Sequence, residues 1–130
     1  MKTPITEPLI KLANQEWYND PVDPRCPHDA WLDRYQIEAQ PYGDRKENAF
    51  FGLSVILSPA LAQGMIRYDY SGVTRFTGSL PILDYAIRRV DWLSDQVIEL
   101  PNGSLRHTIS WESVTWEIEA RNIMYRWLPV

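Results

Sequence analysis

The hydrophobic positions of the chain change period once, near residue 30. Before that point Leu9, Leu12, Ala13 and Trp17 recur at steps of three and four, which predicts one short helix over 9–17. Prolines at 4, 8, 21, 24 and 27 punctuate the same stretch. Each pushes the residue before it out of the helical region, so 19–27 reads as a loop. Trp17 and Tyr18 are costly to leave in water. Residues 1–29 are therefore expected to be a proline-rich arm packed on a single β domain at 30–130.

From Ala30 the period is two. Tyr35, Ile37 and Ala39 alternate with Arg34, Gln36 and Glu38, the pattern of a half-buried strand. Residues 49–58 are apolar on both faces and read as a central strand ended by Pro59. Two more strands are expected at 64–71 and 73–79, joined by a turn at Ser71-Gly72. The stretch 81–96 carries both signals, and the reading adopted is a helical turn at 82–85 and a strand at 86–94, with a helix as the alternative. Asn102-Gly103 supplies the positive φ angles of a tight hairpin between 97–100 and 105–111. Strands at 114–120 and 123–127 complete the pattern. The expected fold is mainly β: an antiparallel sandwich or barrel of eight or nine short strands with one or two short helical segments.

Composition narrows the class. The 130 residues are 45% hydrophobic, which excludes a disordered chain, and include six Trp, seven Tyr and ten Pro. With 13 basic and 17 acidic residues the net charge is −4, which argues against nucleic acid as a partner. Residues 1–65 hold six basic and nine acidic groups (−3), and the remainder seven and eight (−1). The excess lies beside the arm and the first strand, where it would steer a basic protein partner. Cys26 is the single cysteine, so no internal disulfide forms and a reducing compartment is implied. No apolar run resembles a signal peptide or a membrane span, and the chain starts at Met1. A complete, cytoplasmic gene product without a membrane partner is the expectation.

Candidate chemistry centres on Cys26-Pro27-His28-Asp29. A zinc site would take Cys26 and His28 and recruit His107 from a later strand, but no second Cys pair and no closely spaced His partner supports it. A Cys26/His28 nucleophile–base pair is the second reading. The structural reading carries most weight: Asp29 accepts backbone N–H groups at the turn into the first strand, and His28 donates to a carbonyl and packs on Trp31. His107 shares parity with Leu105, Ile109 and Trp111 and is expected in the core. Trp111 and Trp116 are placed there by the same argument. Trp17, Trp31, Trp92 and Trp127 stay open as a sugar-stacking or small-ligand platform. No cofactor is implied.

The order of HDAWL before the first strand, IRYDYSGVTRF, and a C-terminal WEIEARNIMYRW resembles small bacterial all-β proteins of unknown function, grouped with predicted immunity proteins of polymorphic toxin systems. The resemblance spans about residues 27–127. It implies a non-enzymatic inhibitor that covers a basic toxin. His28, Asp29, Trp31, Asp33 and Tyr35 are the residues expected at such a partner face.

Overall fold

The computed structural model describes residues 3–79 and 90–130. The chain is mainly β. Seven strands make one antiparallel sheet: β1 (Ile5–Pro8), β2 (Trp31–Tyr42), β3 (Asn48–Ser58), β4 (Gly64–Thr77), β5 (Trp92–Glu99), β6 (Leu105–Trp111) and β7 (Thr115–Pro129). Their spatial order is β2-β3-β4-β7-β6-β5, with β1 on the edge of β7 beyond β6. Among the described residues the strands are fewer and longer than expected. The break predicted at Ser71-Gly72 is a bulge inside β4, where Gly72 takes φ +61° and the register shifts between Val73 and Arg75. A positive-φ glycine serves a bulge as well as it serves a turn. The break predicted near 121–122 lies opposite, with Asn122 across from Ser71, so β4 and β7 bend together and continue.

The sheet is not closed into a barrel. Among the described residues its two edge strands meet where Trp92 N–H donates to Ala30 O and Asp29 N–H donates to Trp92 O. Trp31 and Asp91 form an isolated bridge beside these bonds. The helical turn predicted at 82–85, and residues 86–89 of the strand predicted at 86–94, lie outside the described residues.

Within the arm, the helix expected over 9–17 is shorter, α1 (Leu9–Leu12), followed by a 3-10 turn at Trp17–Asn19. Asn19 accounts for the difference. Its side-chain amide donates to the carbonyls of Ala13 and Gln15, both at 2.9 Å, which folds the chain back after one helical turn. That reversal lets Leu9, Leu12 and Tyr18 enter the core together. The loop at 20–27 is held by Arg25, whose guanidinium forks onto Asp23 at 2.6 and 2.8 Å and lies 4.3 Å from the Trp17 ring centre. The Tyr125 hydroxyl donates to the Arg25 carbonyl.

The core lies on the face that carries Val55, Leu57, Ile66, Tyr68, Tyr70, Ile109, Ile118, Tyr125 and Trp127. Trp111 and Trp116 are buried as parity predicted, and Trp92 and Trp127 join them. Trp17 and Trp31 are half-buried. None of the six tryptophans is exposed, so the open platform of Trp faces required for sugar stacking is not formed.

Candidate functional site

Among the described residues, two clefts at the border of the core differ in chemistry. The larger arises from a split in the sheet. β3 pairs with β4 only from Leu53–Tyr70 to Leu57–Ile66. Beyond that point residues 48–52 stay with β2, while residues 71–77 stay with β7. The two ribbons diverge and leave an apolar cleft of about 440 Å³, lined on one side by Tyr35, Ile37, Phe51 and Leu53, and on the other by Val73, Phe76 and Trp116. This volume falls in the range of small-ligand pockets, roughly 300–1,000 Å³. Parity correctly places Tyr35 and Ile37 on the core side of β2, opposite Val55 and Leu53. They are nevertheless 43% and 66% exposed, because the core does not extend beneath the diverging ribbon. Among the described residues Arg75 is the one ionic group in the lining, and its ion pair with Glu119 is long, at 3.8 Å. Arg106 holds the same carboxylate at 3.1 Å.

The second cleft lies under the arm and is small and polar, with a volume of about 210 Å³. Tyr18, Cys26, His28, Trp92, Ser94 and Asp95 are among its walls. Behind it runs a buried hydrogen-bond network drawn from four elements. The Tyr18 hydroxyl donates to Asp95 Oδ2 at 2.7 Å. With that proton committed, the 2.6 Å contact between the Tyr18 and Tyr68 hydroxyls must be donated by Tyr68. His107 Nε2 lies 2.7 Å from the same Asp95 oxygen and donates to it. His107 Nδ1 lies 2.7 Å from the Tyr70 hydroxyl, which is buried and has no other partner among the described residues. Tyr70 therefore donates to Nδ1, and hydrogen-bond accounting assigns His107 the singly protonated Nε2–H form. Burial raises Tyr18, Tyr68 and Tyr70 well above the ordinary phenol range, and the nearby Asp95 charge adds to the effect.

The residues singled out in the sequence separate into two groups. Cys26, His28 and Asp29 lie at the polar cleft or its rim, and Tyr35 lies at the apolar cleft. The zinc reading fails on His107. Both of its ring nitrogens are taken by Tyr70 and Asp95, which leaves no lone pair for a metal. Among the described residues no three His, Cys, Asp or Glu side chains are placed to hold a metal ion. The Cys26/His28 pair fails as well. Burial pushes the thiol upward, away from the thiolate a nucleophile needs. His28 Nδ1 is engaged with the Leu93 carbonyl at 2.8 Å.

The structural reading of the junction holds for the His28 hydrogen bond to a carbonyl and not for the Asp29 carboxylate. His28 donates to a carbonyl, as expected, and ties the arm to β5. Asp29 takes φ 64°, a left-handed conformation that Asp tolerates better than most residues. Its carboxylate faces the His28 ring at 3.5 Å, and among the described residues no backbone N–H donates to it, contrary to expectation. Ala30 is fully buried where its carbonyl meets Trp92 N–H. Trp31 bonds Asp91 Oδ1 through its indole N–H at 2.8 Å. Asp33 is exposed on β2.

Sequence reasoning missed Asp95 and the three tyrosines around it. The only signal was the shared parity of Tyr68 and Tyr70 with the apolar residues of β4. No family model matches the chain, and no curated protein or solved structure matches it. No helix among the described residues is long and apolar enough to cross a membrane.

Proposed function

We propose that the protein is a non-enzymatic binding protein that seats an apolar element of a protein partner in the cleft between the β2–β3 and β4–β7 ribbons. The observation that carries this reading is the split sheet. It leaves Tyr35, Ile37, Phe51 and Phe76 exposed around one apolar cleft, and grouped apolar exposure of this kind marks interaction sites. The buried Tyr–His–Asp cluster supports the non-enzymatic part, since its hydroxyls and imidazole are spent on one another. The net charge of −4 favours a basic partner. With the HDAWL resemblance it supports an immunity-type inhibitor of a toxin, acting in the cytoplasm.

The test is capture of the product of the adjacent gene by wild type and by Ile37→Asp. Ile37 is two-thirds exposed, so the substitution leaves the fold intact, which circular dichroism checks. Capture should fall at least tenfold in the variant. Capture that is equal in both proteins, or no capture by wild type, overturns the reading.

A further inference from the structure

We propose that the polar cleft under the arm is a binding site for an organic monocation, an alkylguanidinium or alkylammonium group, received by the free oxygen of Asp95. The site is separate from the apolar cleft and does not depend on the function proposed for it.

Asp95 is the charged group of the buried network, and its side chain is only 8% exposed. Both of its hydrogen bonds, from Tyr18 and from His107, land on Oδ2. Oδ1 has no partner among the described residues and is not among the side-chain atoms shut off from solvent, so it is open to a donor entering from outside. Among the described residues no Lys or Arg side chain pairs with it. His107 does not supply the missing positive charge, because its Nδ1 accepts the hydrogen bond from the Tyr70 hydroxyl and so carries no proton. The network therefore orients a buried negative charge without neutralising it.

The remaining open side of Asp95 faces the cleft, whose volume of about 210 Å³ suits a side-chain-sized group. Its other polar walls can accept from a cation. Ser94 offers a hydroxyl, and the chain between Leu93 and Asp95 runs along the wall. A dehydrated metal ion would need several oxygen ligands, which are not gathered here. A cation with directional N–H donors needs only one well-placed carboxylate oxygen and a neighbouring acceptor.

The experiment is amide NMR titration of the full chain with ethylguanidinium, and with neutral ethylurea as a shape-matched control. Saturable shifts are expected at His28, Leu93, Ser94 and Asp95 with ethylguanidinium, and at least tenfold weaker binding with ethylurea. Asp95→Asn keeps an acceptor for Tyr18 and His107 but removes the charge, and should abolish the ethylguanidinium response. Equal response to ethylurea, unchanged binding by Asp95→Asn, or no saturable shift overturns the proposal. If Asp95→Asn does not fold, the ethylurea comparison on wild type decides alone. N-acetylarginine amide distinguishes the source of the cation. Tighter binding than ethylguanidinium supports the site as a receptor for a basic side chain of a protein, and weaker binding supports it as a site for a free small cation. Ile37→Asp should bind ethylguanidinium as wild type does, which separates this site from the apolar cleft.

Discussion

Raising the pH above about 10 is expected to unfold this protein in one cooperative step, driven by its buried tyrosines. Tyr18, Tyr68, Tyr70 and Tyr125 are all raised above the ordinary phenol value, first of all by burial. A group whose folded value is raised contributes stability that is fully present below its unfolded value, near 10, and is lost as the pH climbs above it. At pH 11 each ordinary phenol in the unfolded chain gains about 1.4 kcal/mol by ionising, while its folded counterpart gains nothing. Four such groups amount to about 6 kcal/mol, against a typical net stability of about 5–15 kcal/mol. Far-ultraviolet circular dichroism and tyrosinate absorbance, recorded together from pH 8 to pH 12, test this. The sheet signal should collapse in the same narrow interval in which the buried tyrosines ionise. Tyrosinate absorbance that reaches its full seven-tyrosine amplitude around pH 10, with the sheet signal unchanged, would refute the reasoning, because it would mean that all four hydroxyls reach water in the folded protein.

Two substitutions probe the core locally. Tyr18→Phe removes the hydroxyl that joins Tyr68 to Asp95, leaving Tyr68 with no partner, and should cost about 1–3 kcal/mol in urea unfolding. Adding Tyr68→Phe should recover part of that loss, since deleting both partners of a buried bond costs less than deleting one. Gly64→Ala would set a methyl 2.6 Å from the Trp127 ring and 2.7 Å from the Leu128 carbonyl, so a loss of about 1–3 kcal/mol is expected. Gly52→Ala meets only ordinary contact at 3.4 Å and serves as its control, with a change near zero.

What could be read from the sequence was whatever is decided within a few residues. The period-two runs located β2, β3 and β6, and Asn102-Gly103 located the β5–β6 hairpin. The loop through the arm followed from its prolines. Errors came where one local signal serves two geometries. Ser71-Gly72 reads as a turn, yet a bulge uses the same positive-φ glycine, and only the pairing of Ser71 with Asn122 across the sheet distinguishes them. The helix over 9–17 stops early because Asn19 reaches back to the carbonyls of Ala13 and Gln15, a competition that apolar spacing does not register.

The two clefts were hidden for different reasons. The polar cleft depends on contacts between residues far apart in the chain. Tyr18 meets Asp95 across 77 positions and Tyr68 across 50, so no local pattern could connect them. His107 was assigned correctly to the core, but its burial alone does not identify the carboxylate it orients. The apolar cleft was hidden although its residues were read correctly. Alternation placed Tyr35 and Ile37 on the core face, and the register with Val55 and Leu53 agrees. Facing the core and being covered by it are separate conditions. The first is set by the pleat of one strand, and the second by how long its neighbours stay paired. β3 leaves β4 after Leu53–Tyr70, and from there the inner side of β2 has no opposing layer among the described residues. An alternating strand whose inward residues remain exposed thus marks the place where a sheet divides, and here that division makes the cleft to which the binding function is assigned.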